Sequence, residues 1–130
     1  GPQALNEAVG DGGSTRVAWW VIVAEGEDVG AVWMERSNEA DITVDLGIFI
    51  ALPEWRGRGL GRIAVRLAEQ QVVEQWGIGY SRLRVRQANA RAIACYRALG
   101  YRTVATGEKV TGGGRVEVLE MVHDLRGDAP

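Results

Sequence analysis

The stretch Pro53-Glu54-Trp55-Arg56-Gly57-Arg58-Gly59-Leu60-Gly61-Arg62 sets glycines and arginines in alternation. It follows an alternating apolar run and precedes residues at helical spacing, so it reads as the turn from a strand into a helix. The start of a helix offers unpaired backbone N–H groups and the positive end of its dipole. Glycines let that backbone approach an anion closely, and Arg56, Arg58 and Arg62 add charge. The chemistry implied is the holding of a phosphate or pyrophosphate. A Walker-type loop would need Gly-Lys-Ser/Thr, and the one lysine is Lys109. A dinucleotide G-x-G-x-x-G beginning at Gly57 would put its third glycine on Arg62, and Arg82, Arg84 and Arg86 fill the strand after which a ribose-holding acid is expected. The spacing R-x-x-G-x-G fits Arg56, Gly59 and Gly61 directly.

A second group of residues lies downstream. Asn89 is a good helix N-cap, because its side-chain oxygen can accept from an orphan N–H. Tyr96 follows Ala92 and Ile93 by one turn, so its ring leaves an apolar surround with a polar tip. On spacing alone it is equally a core aromatic or a proton donor. Cys95 reads as a small buried helix residue. His123, the one histidine, has no metal-ligating neighbours in sequence, so no metal site is expected. Trp19, Trp20 and Trp33 read as core or interface residues.

The elements that must carry these groups can be read from hydropathy. Arg16–Ala24 and Val29–Glu35 are expected as a strand hairpin, the first apolar on both faces and so covered on both. Ile42–Leu52 is the longest strand signal. Val44, Leu46, Ile48 and Ile50 share one face; Thr43, Asp45, Gly47, Phe49 and Ala51 share the other. A helix is expected from the glycine turn to about Trp76, then a strand over Tyr80–Gln87, a helix over Ala90–Leu99, and strands over Tyr101–Val110 and Arg115–Leu125. The order β-β-β-α-β-α-β-β implies a mixed α/β sheet, with helical crossovers able to set parallel neighbours on the middle strand.

Bulk properties narrow the field. A chain of 130 residues, 46% hydrophobic, suits one core. Residues 15–126 are the expected domain. Gly1-Pro2 matches a tag-removal scar, and residues 1–14 are expected to be a disordered or tag-derived tail. No membrane span or signal peptide is read, and with a single cysteine the cytoplasm is the expected compartment. Net charge is −2, yet Glu54–Arg102 holds ten arginines against three glutamates. A basic middle in an acidic chain suits a small anionic ligand rather than nucleic acid. The arginine-rich, lysine-poor composition points to a GC-rich bacterial genome.

The two motifs together resemble the GNAT superfamily of N-acetyltransferases. Ile48-Phe49-Ile50-Ala51 followed by Arg56-Gly57-Arg58-Gly59-Leu60-Gly61 is similar to the family's Arg/Gln-x-x-Gly-x-Gly/Ala passage. Asn89 through Cys95-Tyr96 to Leu99-Gly100-Tyr101 is similar to its later Asn…Tyr…Leu-Gly-Phe/Tyr helix. The resemblance covers roughly Asp28–Leu125. It implies acetyl-CoA as cofactor and a small-molecule or peptide amine as acceptor. Backbone groups of Phe49, Ile50 and Ala51 would hold the pantetheine arm, those of Gly57–Arg62 the pyrophosphate, and Asn89 would touch the cofactor. Tyr96 would be the general acid. The glutamate that some relatives use as base falls here on Arg84, so Asp45 is the expected substitute. The strand and two helices that open most members are not seen, so the expectation is a trimmed sequence, an open acceptor site, or a site completed by a second chain, a homodimer being one form. The alternative class is a non-catalytic acyl-CoA-binding sensor or assembly module.

Overall fold

The computed structural model describes residues 3–6 and 15–127, the first four as backbone alone. Its elements in chain order are β1 (Gln3–Asn6), β2 (Val17–Ala24), β3 (Glu27–Glu35), β4 (Thr43–Ile50), a 3-10 turn (Pro53–Trp55), α1 (Leu60–Trp76), β5 (Tyr80–Arg86), α2 (Ala90–Leu99), β6 (Arg102–Thr111) and β7 (Gly114–Asp124). The strands form one seven-stranded sheet ordered β1-β2-β3-β4-β5-β7-β6.

The period-2 pattern of β4 decides which face is buried. Val44 is fully buried and Leu46, Ile48 and Ile50 pack against the core, under α1 residues Leu60, Ala64, Ala68 and Val72. Ser81, Leu83 and Val85 of β5 continue that face toward α2, where Ile93 and Leu99 close over them with Leu119 and Met121. Both helices therefore cover the same side of the sheet. Burial of each large apolar side chain contributes about 1.5–3 kcal/mol.

The helix ends are chemically set. Asn89 Oδ1 accepts from the Ala92 N–H at 3.2 Å and caps α2. Gly77 (φ 65°) and Gly100 (φ 108°) end the two helices in the left-handed region. At Gly100 a second constraint acts: a Cβ would sit 2.6 Å from the His123 ring.

Several expectations change. Residues 3–6 were expected within a disordered or tag-derived tail; they pair antiparallel with β2 from Asn6↔Val21 to Gln3↔Ala24, because β2 offers an open ladder there. This covers part of the edge that argued for a second copy. The outer edge at Ala18–Trp20 has no strand partner among the described residues. The rest of residues 1–14 lies outside the described residues. The second face of β2 is not covered as expected: Trp20, Ile22 and Ala24 are buried, whereas Trp19 is 39% exposed. Only one neighbour of β5 is parallel, because β6 passes to the sheet edge and β7 returns between them, antiparallel to both. Tyr101 precedes β6 instead of opening it and is buried in the core.

Candidate active site

Strands β4 and β5 are paired over three rungs, Thr43↔Tyr80, Val44↔Ser81 and Asp45↔Arg82. Beyond Asp45 they part. From Leu46 to Ile50, β4 keeps β3 on one side and has no strand on the other among the described residues. The gap opens into a groove of about 590 Å³ lined by Ile48, Phe49, Ile50, the turn from Arg56 to Arg62, and Asn89, Arg91, Cys95 and Tyr96 of the α2 region. Such a volume suits a small-molecule ligand.

The strand side of this groove has a definite polarity. The Ala51 N–H donates to Val29 O at 2.7 Å, so Ala51 is committed to β3. Alternate residues of a strand present their backbone groups to opposite sides. Phe49 therefore also faces β3, while the backbone of Ile48 and Ile50 faces the groove. The expectation that Phe49, Ile50 and Ala51 all offer backbone groups to a ligand thus narrows to Ile50, with Ile48 in place of the other two. Arg56 Nε donates to Ile50 O at 3.1 Å and fastens the turn to the strand end.

The turn itself is held open. Gly57 (φ 75°) and Gly59 (φ 83°) are left-handed, a conformation that carries cost for any residue with a Cβ. Gly59 is the N-cap of α1 and no side chain caps that end. The space where its Cβ would stand is empty to 4 Å, and Gly59, Leu60, Gly61 and Arg62 all line the groove. Arg58 instead stacks 4.7 Å over Trp55, whose indole N–H reaches Glu27 Oε1 at 3.3 Å. Arg91 was not singled out from sequence. It lines the groove from α2, and its Nη1 lies 3.8 Å from where a Gly57 Cβ would be. Its signal was a cation two residues after the Asn89 cap, at the end of α2 that faces the glycine turn.

Tyr96 reaches the groove from the middle of α2. Burial pushes its hydroxyl above the usual phenol range, so it stays protonated through neutral pH. Cys95 is half-buried in the same wall, its thiol raised by burial and partly offset by the Arg62 charge. Asp45 stands apart from α2, at the point where the strands divide. Its two oxygens take the Arg82 guanidinium at 2.7 and 3.1 Å. Hydrogen bonding to Asp45 in turn raises Arg82 above its ordinary value. Arg84 meets Glu120 at 3.4 Å. On this face Trp33 lies against Gly47, stacks on Trp19 at 4.8 Å and meets Phe49 edge-on at 6.1 Å. Among the described residues no group of His, Cys, Asp and Glu is arranged to hold a metal ion, and no helix is long and apolar enough to cross a membrane.

The structure thus joins a mixed sheet with two parted parallel strands to a glycine turn, without a side-chain cap, beside the groove. The acetyltransferase (GNAT) family model matches residues 4–101, and the chain belongs to this family. Members of the family use acetyl-CoA. No curated protein sequence matches the chain. Among solved structures, the ribosomal-protein-S18-alanine N-acetyltransferase from Escherichia coli is similar at a TM-score of 0.78 and 17% identity, over 98% of this chain and 97% of that one. A chimera of the spermidine N-acetyltransferase SpeG from Vibrio cholerae and hSSAT gives 0.76 and 20%, over 85% and 69%. A dodecameric structure of the Vibrio cholerae enzyme gives 0.76 and 20%, over 85% and 66%. These likenesses are of fold.

Proposed function

We propose that the chain is an N-acetyltransferase that moves an acetyl group from acetyl-CoA to a primary amine of a small molecule or peptide. The observation that carries this is the parting of β4 from β5 beyond Asp45↔Arg82, with the uncapped Gly57–Arg62 turn at the mouth of the opening. The residues fit acetyl-CoA. The edge of β4 at Ile48 and the Ile50 N–H suits the amides of a pantetheine arm, the Ile50 carbonyl being taken by Arg56. The open space at Gly59, with Arg62 and Arg91 beside it, suits a pyrophosphate.

When bound, acetyl-CoA supplies an acetyl thioester. The chain's residues do the rest. N–H groups of residues 60–62 hold the phosphates, Arg56 keeps the turn docked on the strand end, and Asn89 holds the start of α2 against the groove. The Tyr96 hydroxyl, kept protonated at rest by burial, gives its proton to the departing sulfur. Asp45 takes the proton of the amine. A carboxylate has about four lone-pair sites, so the two that Arg82 occupies leave others free, and Arg82 fixes the group in place. Arg84 stands where some relatives have a basic glutamate, and it is paired with Glu120.

Acceptors named for the similar structures, spermidine and an alanine of ribosomal protein S18, set the first panel to try. A working homodimer belongs to the same reading, supported by the exposed aromatic face and the outer edge at Ala18–Trp20. Sedimentation equilibrium that finds a fully active monomer at every concentration rejects it. The test of the ligand class is calorimetric titration. Acetyl-CoA should bind and displace neither ATP nor NAD, because neither binds; tight binding of ATP or NAD instead would overturn the assignment.

A further inference from the structure

Behind the groove lies a buried polar cluster to which the proposed chemistry gives no role. Tyr101 is 2% exposed, Glu69 5% and Ser81 not at all. The Tyr101 hydroxyl lies 2.8 Å from Glu69 Oε2 and 2.7 Å from Ser81 Oγ. A phenol has one proton, and a carboxylate can only accept. Tyr101 therefore donates to Glu69 and accepts from Ser81. His123 Nδ1 stands 2.8 Å from the same Glu69 oxygen, so that nitrogen carries its hydrogen. The His123 ring lies 5.1 Å from the Tyr101 ring and under Gly100. Three elements meet at one carboxylate, α1 by Glu69, β7 by His123 and the end of α2 by Tyr101, and β5 joins through Ser81 at the Tyr101 hydroxyl.

Tyr101 touches Tyr96 twice. Its N–H donates to the Tyr96 carbonyl at 3.0 Å, and the two rings meet edge-on at 5.9 Å and 60°. The contact thus reaches both the backbone and the ring of the residue proposed as acid. Glu69 belongs to the helix whose first turn faces the phosphate end of the groove. We infer that Glu69, Tyr101 and His123 are positioning residues: they lock Tyr96 to α1, so that the proton donor and the phosphate-holding turn move as one body. This rests on the reading of Tyr96 as the general acid. A helix such as α2 packed by apolar contacts alone could slide or rotate slightly on its neighbours. A buried network whose members are all satisfied has one low-energy arrangement. Displacements of about 1 Å at a reacting group can cost on the order of a hundredfold in rate.

The test uses Tyr101→Phe and Glu69→Gln in the full chain, each checked for folding by thermal melt. Tyr101→Phe keeps the ring and its edge contact but removes the anchor; Glu69→Gln keeps the shape and weakens the acceptor. Each should lower kcat by roughly tenfold or more with KM for acetyl-CoA little changed. Neither should lower kcat further in a Tyr96→Phe background. A second readout needs no turnover. With 3-fluorotyrosine in place of the three tyrosines, the 19F signal of Tyr96 should shift or broaden in both variants while that of Tyr80, on β5, stays. Wild-type kcat in both variants, or losses that add to that of Tyr96→Phe, would overturn the inference. An unmoved Tyr96 fluorine signal would overturn the brace by itself. Full activity of Tyr96→Phe with a shifted signal would instead remove the acid assignment and, with it, the catalytic meaning of the brace.

Discussion

Asp45 and Arg82 face each other across the last rung that β4 and β5 share, joined by two hydrogen bonds of 2.7 and 3.1 Å. The pair marks the point beyond which the two strands part. Replacing Asp45 by Asn removes a proton acceptor and leaves Arg82 without its ionic partner. Both side chains are partly exposed, so the stability cost should be small, about 0.5–1 kcal/mol. The proposed role predicts that the acidic limb of the pH–rate profile disappears and that acetyl-CoA affinity is kept. An unchanged limb would assign it to the amine's own ionisation.

Substitutions at Gly61 should separate binding from folding. Gly61 is in the first turn of α1 with ordinary helical geometry; a Cβ there would have Ile48 Cδ1 at 3.8 Å as its nearest contact. Alanine is the better helix former, so stability should hold or rise by up to about 1 kcal/mol. Alanine is one of the two residues the family's motif carries at this position, so acetyl-CoA affinity should be little changed. The bulkier Gly61→Val should crowd the first N–H groups of α1; losing one or two charge-assisted hydrogen bonds of roughly 1.5–3 kcal/mol each predicts a ten- to hundredfold or larger drop in affinity for that variant. Calorimetric titration beside a thermal melt reads both signs.

Gly47→Ala probes the open face. A Cβ at Gly47 would fall within the Trp33 ring, which lies flat against that backbone. Either the ring leaves or the strands separate, at about 1–3 kcal/mol. The Trp19–Trp33 stack and the edge contact with Phe49 should be lost together. Near-ultraviolet dichroism should show the loss of the tryptophan couplet along with the lower melting temperature.

Alkaline pH should destabilise the chain through its tyrosines and cysteine. Burial raises Tyr96, and burial and then the Glu69 charge raise Tyr101, from 10.0; burial raises Cys95 from 9.0. In the unfolded chain these groups lose protons at their ordinary values, while the folded chain still holds them. The unfolded state then binds fewer protons, and stability falls as pH rises. The contribution is whole below about pH 9 and declines above it, first through Cys95 and then, from about pH 10, through the tyrosines. Denaturant midpoints measured from pH 8 to 11 should fall, and Tyr101→Phe should reduce the slope above pH 10.

Much of this was legible in the sequence, because much of it is local. The glycine turn, the Asn89 cap and the alternating faces of β4 are each set within a few residues. The division of β4 from β5 was not legible, since the length of a pairing depends on strands 37 residues apart. Nor was the backbone polarity at Phe49 and Ala51, which depends on the β3 register. Glu69 did leave a trace. It lies four residues after Val65 and three before Val72, on the buried stripe of α1, where an acid needs partners. Those partners, Tyr101 and His123, come from distant elements, and no spacing rule joins them to it. The strand at residues 3–6 was hidden by a short, polar, glycine-rich neighbourhood that resembles a tail.

The central claim is that this chain transfers an acetyl group and that Tyr96 supplies the proton to the sulfur. The most direct measurement is the amine-dependent release of free thiol from acetyl-CoA, followed with a thiol reagent across a panel of primary amines, for the natural chain and Tyr96→Phe. The account predicts saturable release with at least one amine. In Tyr96→Phe it predicts a kcat lower by roughly a hundred- to ten-thousandfold at unchanged acetyl-CoA affinity. Tight acetyl-CoA binding with no amine-dependent thiol release would contradict it and make the chain a binding module; wild-type kcat in Tyr96→Phe would contradict the role of the tyrosine.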